Sequence, residues 1–236
     1  MLASLTGYFY ATSPGAIWAH LYAESEAEIS LDGHTVRLRQ TTDYPWEGRV
    51  SFTVETEAPF RFALNLRVPA WADVAALHVN GEDAPTPSSG AYATIEREWR
   101  SGDVVEVAFP MIGRRAYAHP YINENTGRVA ILRGPLLYCL EEADNPGIDL
   151  RMVGIDWESA LEVEHAAALL GGVSVIRSEA SIEAVDSEWS DKLYSCEPII
   201  AVSRRLDRPV TAVPYYAWAN RDAGSMRVWI REIASD

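Results

Sequence analysis

Lysine is almost missing from this chain. Lys192 stands alone among 20 basic residues, the rest being arginine, which reads as a coding bias rather than chemistry. Basic charge as a whole is short, since 34 acidic residues leave a formal net charge of -14. A general nucleic-acid binder needs a basic face to displace counterions, so that class is excluded. Cysteine is scarce too. Cys139 and Cys196 cannot build a disulfide framework of the secreted type, and their spacing fits no zinc motif. Two buried or half-buried thiols are expected, with a single bridge as the alternative. No apolar run approaches the roughly 18 residues of a membrane span. Residues 1–10 also lack the basic stretch and cleavage site of a secretory signal. The expectation is a cytoplasmic chain with neither nucleic acid nor membrane as partner.

Familiar catalytic signatures are absent as well. The five histidines, His20, His34, His78, His119 and His165, include no pair at the i, i+4 spacing of helical metal sites. Each reads as a surface or half-buried strand residue. There is no Gly-x-Ser-x-Gly elbow and no glycine-rich phosphate loop. Arg204, Arg205 and Arg208 read as a solvated loop edge.

What the chain does have is alternation. Of its 236 residues, 48% are apolar and 23% charged, enough for a sizeable core. Val50, Phe52 and Val54 face one way while Ser51 and Thr53 face the other, and Phe62, Leu64 and Leu66 repeat the pattern. Asp32-Gly33 and Asn80-Gly81 are favoured hairpin dipeptides between such runs. Short strands with frequent turn signals predict antiparallel β-sandwiches, each sheet having one buried and one wet face. Leu2, Leu5 and Phe9 recur at helical spacing, which predicts the last turns of a helix over 1–9. Pro110 marks a boundary. The expected organisation is all-β: a short remnant helix and linker over 1–15, one sandwich over 16–111 and a second over 112–236. Strands are expected over 210–218 and 226–230, and a long irregular loop over 178–198.

Two features could touch a carbohydrate. Asp43 and Glu47 flank Pro45 and Trp46 in Thr42-Asp43-Tyr44-Pro45-Trp46-Glu47-Gly48. Glycosidases need two carboxylates across a sugar, and an indole can stack on one. The competing reading is a rigid turn between strands with Trp46 packed beneath it. The eight tryptophans are numerous for this length. Trp99 and Trp229 fall on alternating strands and are assigned to the core, while Trp46, Trp189 and Trp218 lie nearer loops and are the surface candidates.

Several stretches resemble glycoside hydrolase family 127, the β-L-arabinofuranosidase family. Leu2-Ala3-Ser4-Leu5 with Gly7-Tyr8-Phe9-Tyr10 is similar to the end of that family's barrel domain. The likeness continues through Leu66-Arg67-Val68-Pro69-Ala70-Trp71-Ala72 and Tyr92 to Trp99. It is most specific over Gly127 to Glu141, with Arg133-Gly134-Pro135 at its centre, and returns in Val213 to Arg221 and Met226 to Trp229. Residues 178–207 fit loosely.

This resemblance implies the middle and C-terminal β-sandwich domains of such an enzyme. The family's (α/α)6 barrel carries a cysteine nucleophile, a glutamate acid/base and a zinc site of thiolates and a glutamate. No residue of this sequence matches those motifs; Cys139 and Cys196 fall elsewhere. No catalytic residue, metal ligand or cofactor is therefore expected in this chain. The partners to expect are a catalytic barrel, in cis or as a separate chain, and a second copy joined through a β-sandwich. A free-standing carbohydrate-binding module is the alternative, and a complete small hydrolase using Asp43 and Glu47 is a third reading.

Overall fold

A computed structural model describes residues 2–72, 75–184, 193–194, 196, 202–206 and 208–233. Trp189 and Lys192 lie outside them. The chain divides into two compact units, Met1–Met111 and Ile112–Asp236.

The first unit opens with a 3-10 helix over Leu2–Tyr8, where helical spacing had suggested α-helical turns. Leu5 and Tyr8 are spaced by three, the period of the tighter helix. Leu5 and Tyr8 are exposed and Phe9 is half-buried. Ten strands follow: β1 (Tyr10–Ser13), β2 (Ala16–Ala19), β3 (Ser25–Leu31), β4 (His34–Thr42), β5 (Arg49–Thr56), β6 (Phe60–Arg67), β7 (Ala76–Val79), β8 (Glu82–Asp83), β9 (Tyr92–Trp99) and β10 (Asp103–Ala108). They form a sheet in the order β1-β2-β6-β9 and another in the order β3-β4-β5-β10-β7-β8.

Alternation decides what each face does. Val50, Phe52 and Val54 of β5 are fully buried, as are Leu64 and Leu66 of β6 and Trp99 of β9. Together with Val36, Leu38, Val105 and Val107 they form one core between the sheets. The indole Nε1 of Trp99 donates to the Phe62 carbonyl at 3.0 Å, so its polar atom is satisfied inside. Both predicted hairpin dipeptides turn with positive φ, 49° and 85° at Asp32-Gly33 and 53° and 81° at Asn80-Gly81. One pairing departs from the antiparallel expectation: β2 runs parallel to β6. A parallel neighbour needs a long crossover, and β3 to β5, all in the other sheet, supply it.

The second unit holds β11 (Gly113–Ala116), β12 (Arg128–Arg133), β13 (Leu136–Glu141), β14 (Val153–Asp156), β15 (Glu162–Ala166), β16 (Val173–Ser178), β17 (Ala180–Ala184), β18 (Val202–Arg205), β19 (Val210–Pro214), β20 (Met226–Arg227) and β21 (Ile230–Ile233). Its strands join in the order β15-β16-β19-β13-β12-β21-β14-β17-β18, with β11 on β12 and β20 on β13. Strand β12 makes the corner. Its start pairs with β21 and its end with β13. A strand that changes partners along its length is how one continuous ladder folds into two layers. Tyr138, Leu140, Ile155, Ile176, Ala212 and Ile230 fill the space between. Cys139, Val175 and Val213 form a smaller cluster with Val173, covered by Leu169, Leu170, Met226 and Val228. Strand β13 is therefore apolar on both faces, which explains the unbroken run over Leu136–Leu140.

Four expectations need correction here. Strand β14 runs parallel to β21, a second parallel pair. Residues 180–184 are a strand rather than loop, because Ile182 finds Val153 on one side and Arg204 on the other. The predicted strand over 210–218 stops at Pro214, where a 3-10 turn over Tyr215–Ala217 begins. Trp229 is half-buried at a bend between β20 and β21, not a core residue on one continuous strand. Among the described residues, no helix is long and apolar enough to cross a membrane.

Candidate functional site

The Thr42–Gly48 segment is the turn between β4 and β5. The Asp43 carbonyl accepts the amides of Trp46 at 2.9 Å and Glu47 at 3.1 Å. Thr42 Oγ1 accepts the Tyr44 amide at 3.0 Å and donates to the Arg49 carbonyl at 2.6 Å. Tyr44 is the anchor. Its ring lies edge-on to Tyr22 at 5.8 Å and to Phe109 at 6.1 Å, and burial raises its hydroxyl pKa. Trp46, expected to pack beneath under the rigid-turn reading, is instead 52% exposed. Asp43 and Glu47 are exposed as well. Two glycosidase carboxylates must face each other across a bound sugar. Here both stand on one tight, hydrogen-bonded turn, so the structure accounts for the spacing by turn geometry.

Trp218 lies in the second unit, at the end of the 3-10 turn, 42% exposed and stacked on Tyr215 at 5.8 Å and 18°. Tyr216 beside them is also exposed. Trp218 and the Asp43–Glu47 turn belong to different units, and Trp189 lies outside the described residues.

The polar group that locks this aromatic corner was not singled out in the sequence. Arg221 bridges Glu141 and Asp144, donating to Asp144 Oδ1 at 2.5 Å and Oδ2 at 2.6 Å and to Glu141 Oε2. The other Glu141 oxygen accepts the Ala219 amide at 3.1 Å. Ala219 has φ +61°, a left-handed conformation unusual for a residue with a Cβ. Glu141 thus ties the chain just after Trp218 to β13. Asp144 and Glu141 raise the Arg221 pKa further above its ordinary value. The 80-residue separation of Arg221 from Glu141 left no local signal to read.

Neither cysteine belongs to a metal-binding group among the described residues. Both are free thiols. Cys139 is fully buried among valines, and burial pushes its thiol up to about 12, so it stays protonated. Cys196 is exposed rather than half-buried. Among the described residues, no group of three or more His, Cys, Asp or Glu side chains is arranged to hold a metal ion. The zinc site that the resemblance implies for the family's barrel has no matching ligand group among the described residues.

Comparison with known proteins gives this architecture its relatives. Residues 16–111 match the family described as "Beta-L-arabinofuranosidase, GH127 middle domain", and residues 113–231 match "Glycoside hydrolase family 127 C-terminal domain". The chain is 33% identical to a non-reducing end β-L-arabinofuranosidase of Bifidobacterium longum subsp. longum, over 98% of this chain but 35% of that protein. A crystal structure of a β-L-arabinofuranosidase from Geobacillus stearothermophilus T6 superposes with a TM-score of 0.88 at 40% identity, covering 98% of this chain and 36% of that one. A second structure, a family 127 β-arabinofuranosidase, gives 0.84 at 29% identity, over 99% and 37%. The chain spans about a third of the length of these longer enzymes. Both units, through their own matches, belong to glycoside hydrolase family 127, as its middle and C-terminal domains.

Proposed function

We propose that this chain is the non-catalytic β-sandwich portion of a β-L-arabinofuranosidase-like enzyme, a structural support for an (α/α)6 barrel that does the chemistry in cis or as a separate chain. One observation carries the reading: nearly the whole chain aligns with only 35% of the Bifidobacterium longum enzyme. The exposed Leu5 and Tyr8 of the 3-10 helix give a barrel an apolar surface to pack on. The stacked, exposed Tyr215–Trp218 pair favours an added role in touching carbohydrate, with Asp43, Trp46 and Glu47 as weaker candidates.

The test is hydrolysis of a nitrophenyl β-L-arabinofuranoside by the purified chain, with zinc and reductant present. No turnover is expected. Turnover that survives replacement of Cys139 and Cys196 by alanine but is abolished by Asp43→Asn would overturn the proposal in favour of a small hydrolase.

A further inference from the structure

Arginine gathers at one place on this acidic chain. A cavity of about 80 Å³ in the second unit is lined by Arg128, Arg151, Arg227, Arg231 and Trp229, and no carboxylate lines it. Arg128 lies directly opposite Arg231 in the register of β12 and β21. Side chains of directly opposed residues emerge on the same face, and like charges there repel. The side chains of Arg128 and Arg227 make no hydrogen bond or ion pair among the described residues, although the charge of Arg227 acts on Asp149, whereas Arg151 grips Asp149 through Nη2 at 2.7 Å and Nε at 3.0 Å. Arg151 is held by Asp149 and Arg231 also has a partner, so Arg128 and Arg227 are the two guanidinium groups that this lining, which contains no carboxylate, leaves to a ligand. Beside the cavity, hydrogen bonds from Arg151, with the charge of Arg227 adding least, hold the Asp149 carboxyl down to about 2.

The cavity shares Arg151 and Arg227 with an open groove of about 670 Å³ whose lining adds Glu142, Asp149 and Ser225. A volume of 80 Å³ exceeds what one water needs and suits a small oxyanion. Guanidinium forks match carboxylate and phosphate oxygens. Carboxylate and hydroxyl groups along the groove accept hydrogen bonds from sugar hydroxyls.

We propose that this cavity and groove bind an anionic sugar, its carboxylate or phosphate held by Arg128 and Arg227 and its ring lying along Glu142 and Ser225. The proposal rests on the carbohydrate setting of the preceding section, but its readout is binding, not hydrolysis, so the two fail separately. The experiment is calorimetric titration of the full chain at fixed ionic strength with glucuronate, glucose 6-phosphate, inorganic phosphate and neutral glucose. At least one sugar anion should bind saturably, about tenfold or more tighter than inorganic phosphate or glucose; the better of the two names the oxyanion. Arg128→Gln and Arg227→Gln should each weaken it about tenfold, the loss of one charge-assisted hydrogen bond. In low salt without ligand, Arg128→Gln should melt no lower than the parent, because it removes one of two repelling charges. Absence of saturable binding, inorganic phosphate binding as tightly as the sugar anions, unchanged affinity in both variants, or a lower melting point for Arg128→Gln would each overturn the proposal.

Discussion

Replacing Arg221 by methionine should unfold the second unit at a markedly lower temperature. The Arg221 side chain is 20% exposed, that of Glu141 7% and that of Asp144 9%. Methionine fills much of the same space but leaves two nearly buried carboxylates without their cation. Removing one partner of a buried pair costs about 3–5 kcal/mol, mostly the penalty of stranding the other charge. The residual exposure places Arg221 toward the lower end. For a unit of this size, about 3 kcal/mol lowers Tm by roughly 10 °C. Arg221→Lys keeps the charge but cannot fork across both acids, so an intermediate loss is expected. The control is Arg37→Met. Arg37 reaches Glu26, Glu28 and Glu55, more partners than Arg221 has, but its side chain is 47% exposed. Exposed pairs are worth about 1 kcal/mol or less. Scanning calorimetry of the three variants reads the comparison. If Arg221→Met shifts Tm no more than Arg37→Met does, burial is not what gives this network its weight, and the reasoning fails.

Three further outcomes follow from the same packing. At pH 8 a thiol reagent should label Cys196 quickly and Cys139 only after denaturant is added, because burial keeps the Cys139 thiol protonated; two fast thiols would contradict the buried cluster. Burial also raises the pKa of Tyr22, whose hydroxyl donates to the Arg67 carbonyl at 2.5 Å, and pushes that of Tyr138 up to about 12. Folded-state values raised above unfolded ones mean a stability contribution complete below about pH 9 and lost as pH climbs from 10 toward 12. Phenolate absorbance should therefore rise in step with unfolding, and full ionisation of a still-folded chain would refute this. Finally, a Cβ on Gly48 would lie 2.0 Å from the Phe109 carbonyl oxygen, on a backbone that also donates to Gly48 at 2.9 Å. Gly48→Ala should cost about 2–3 kcal/mol in a urea titration, whereas Gly7→Ala, with nothing within 4 Å of the new methyl, should be close to neutral.

Strand faces were legible wherever a period of two ran through apolar residues. Val50, Phe52 and Val54 point inward because Ser51 and Thr53 between them tolerate a less buried face. The hairpin at Asn80-Gly81 was legible because only a few residue types accept positive φ. The parallel partnership of β2 with β6 was not, since it depends on how far the chain travels between them. Strand β17 was missed because Ser181 and Glu183 dilute its pattern, and its existence rests on partners at Val153 and Arg204. At the functional level, Trp218 was readable as a surface residue from its position near a turn, whereas for Trp46 the sequence left both a surface and a packed reading open. The Arg221–Glu141–Asp144 lock and the arginine-lined cavity were not legible, because each is assembled from segments far apart in sequence. Periodicity tells which face a residue takes, not which distant residue shares it.

The supporting role proposed for the two sandwiches is tested most directly by complementation. The part of the Geobacillus stearothermophilus enzyme that this chain does not match would be produced alone, then titrated with the present chain while sedimentation and hydrolysis of a nitrophenyl β-L-arabinofuranoside are followed. A one-to-one complex with turnover well above that of either component is the predicted result. Two species that sediment independently, with turnover unchanged by mixing, would contradict it.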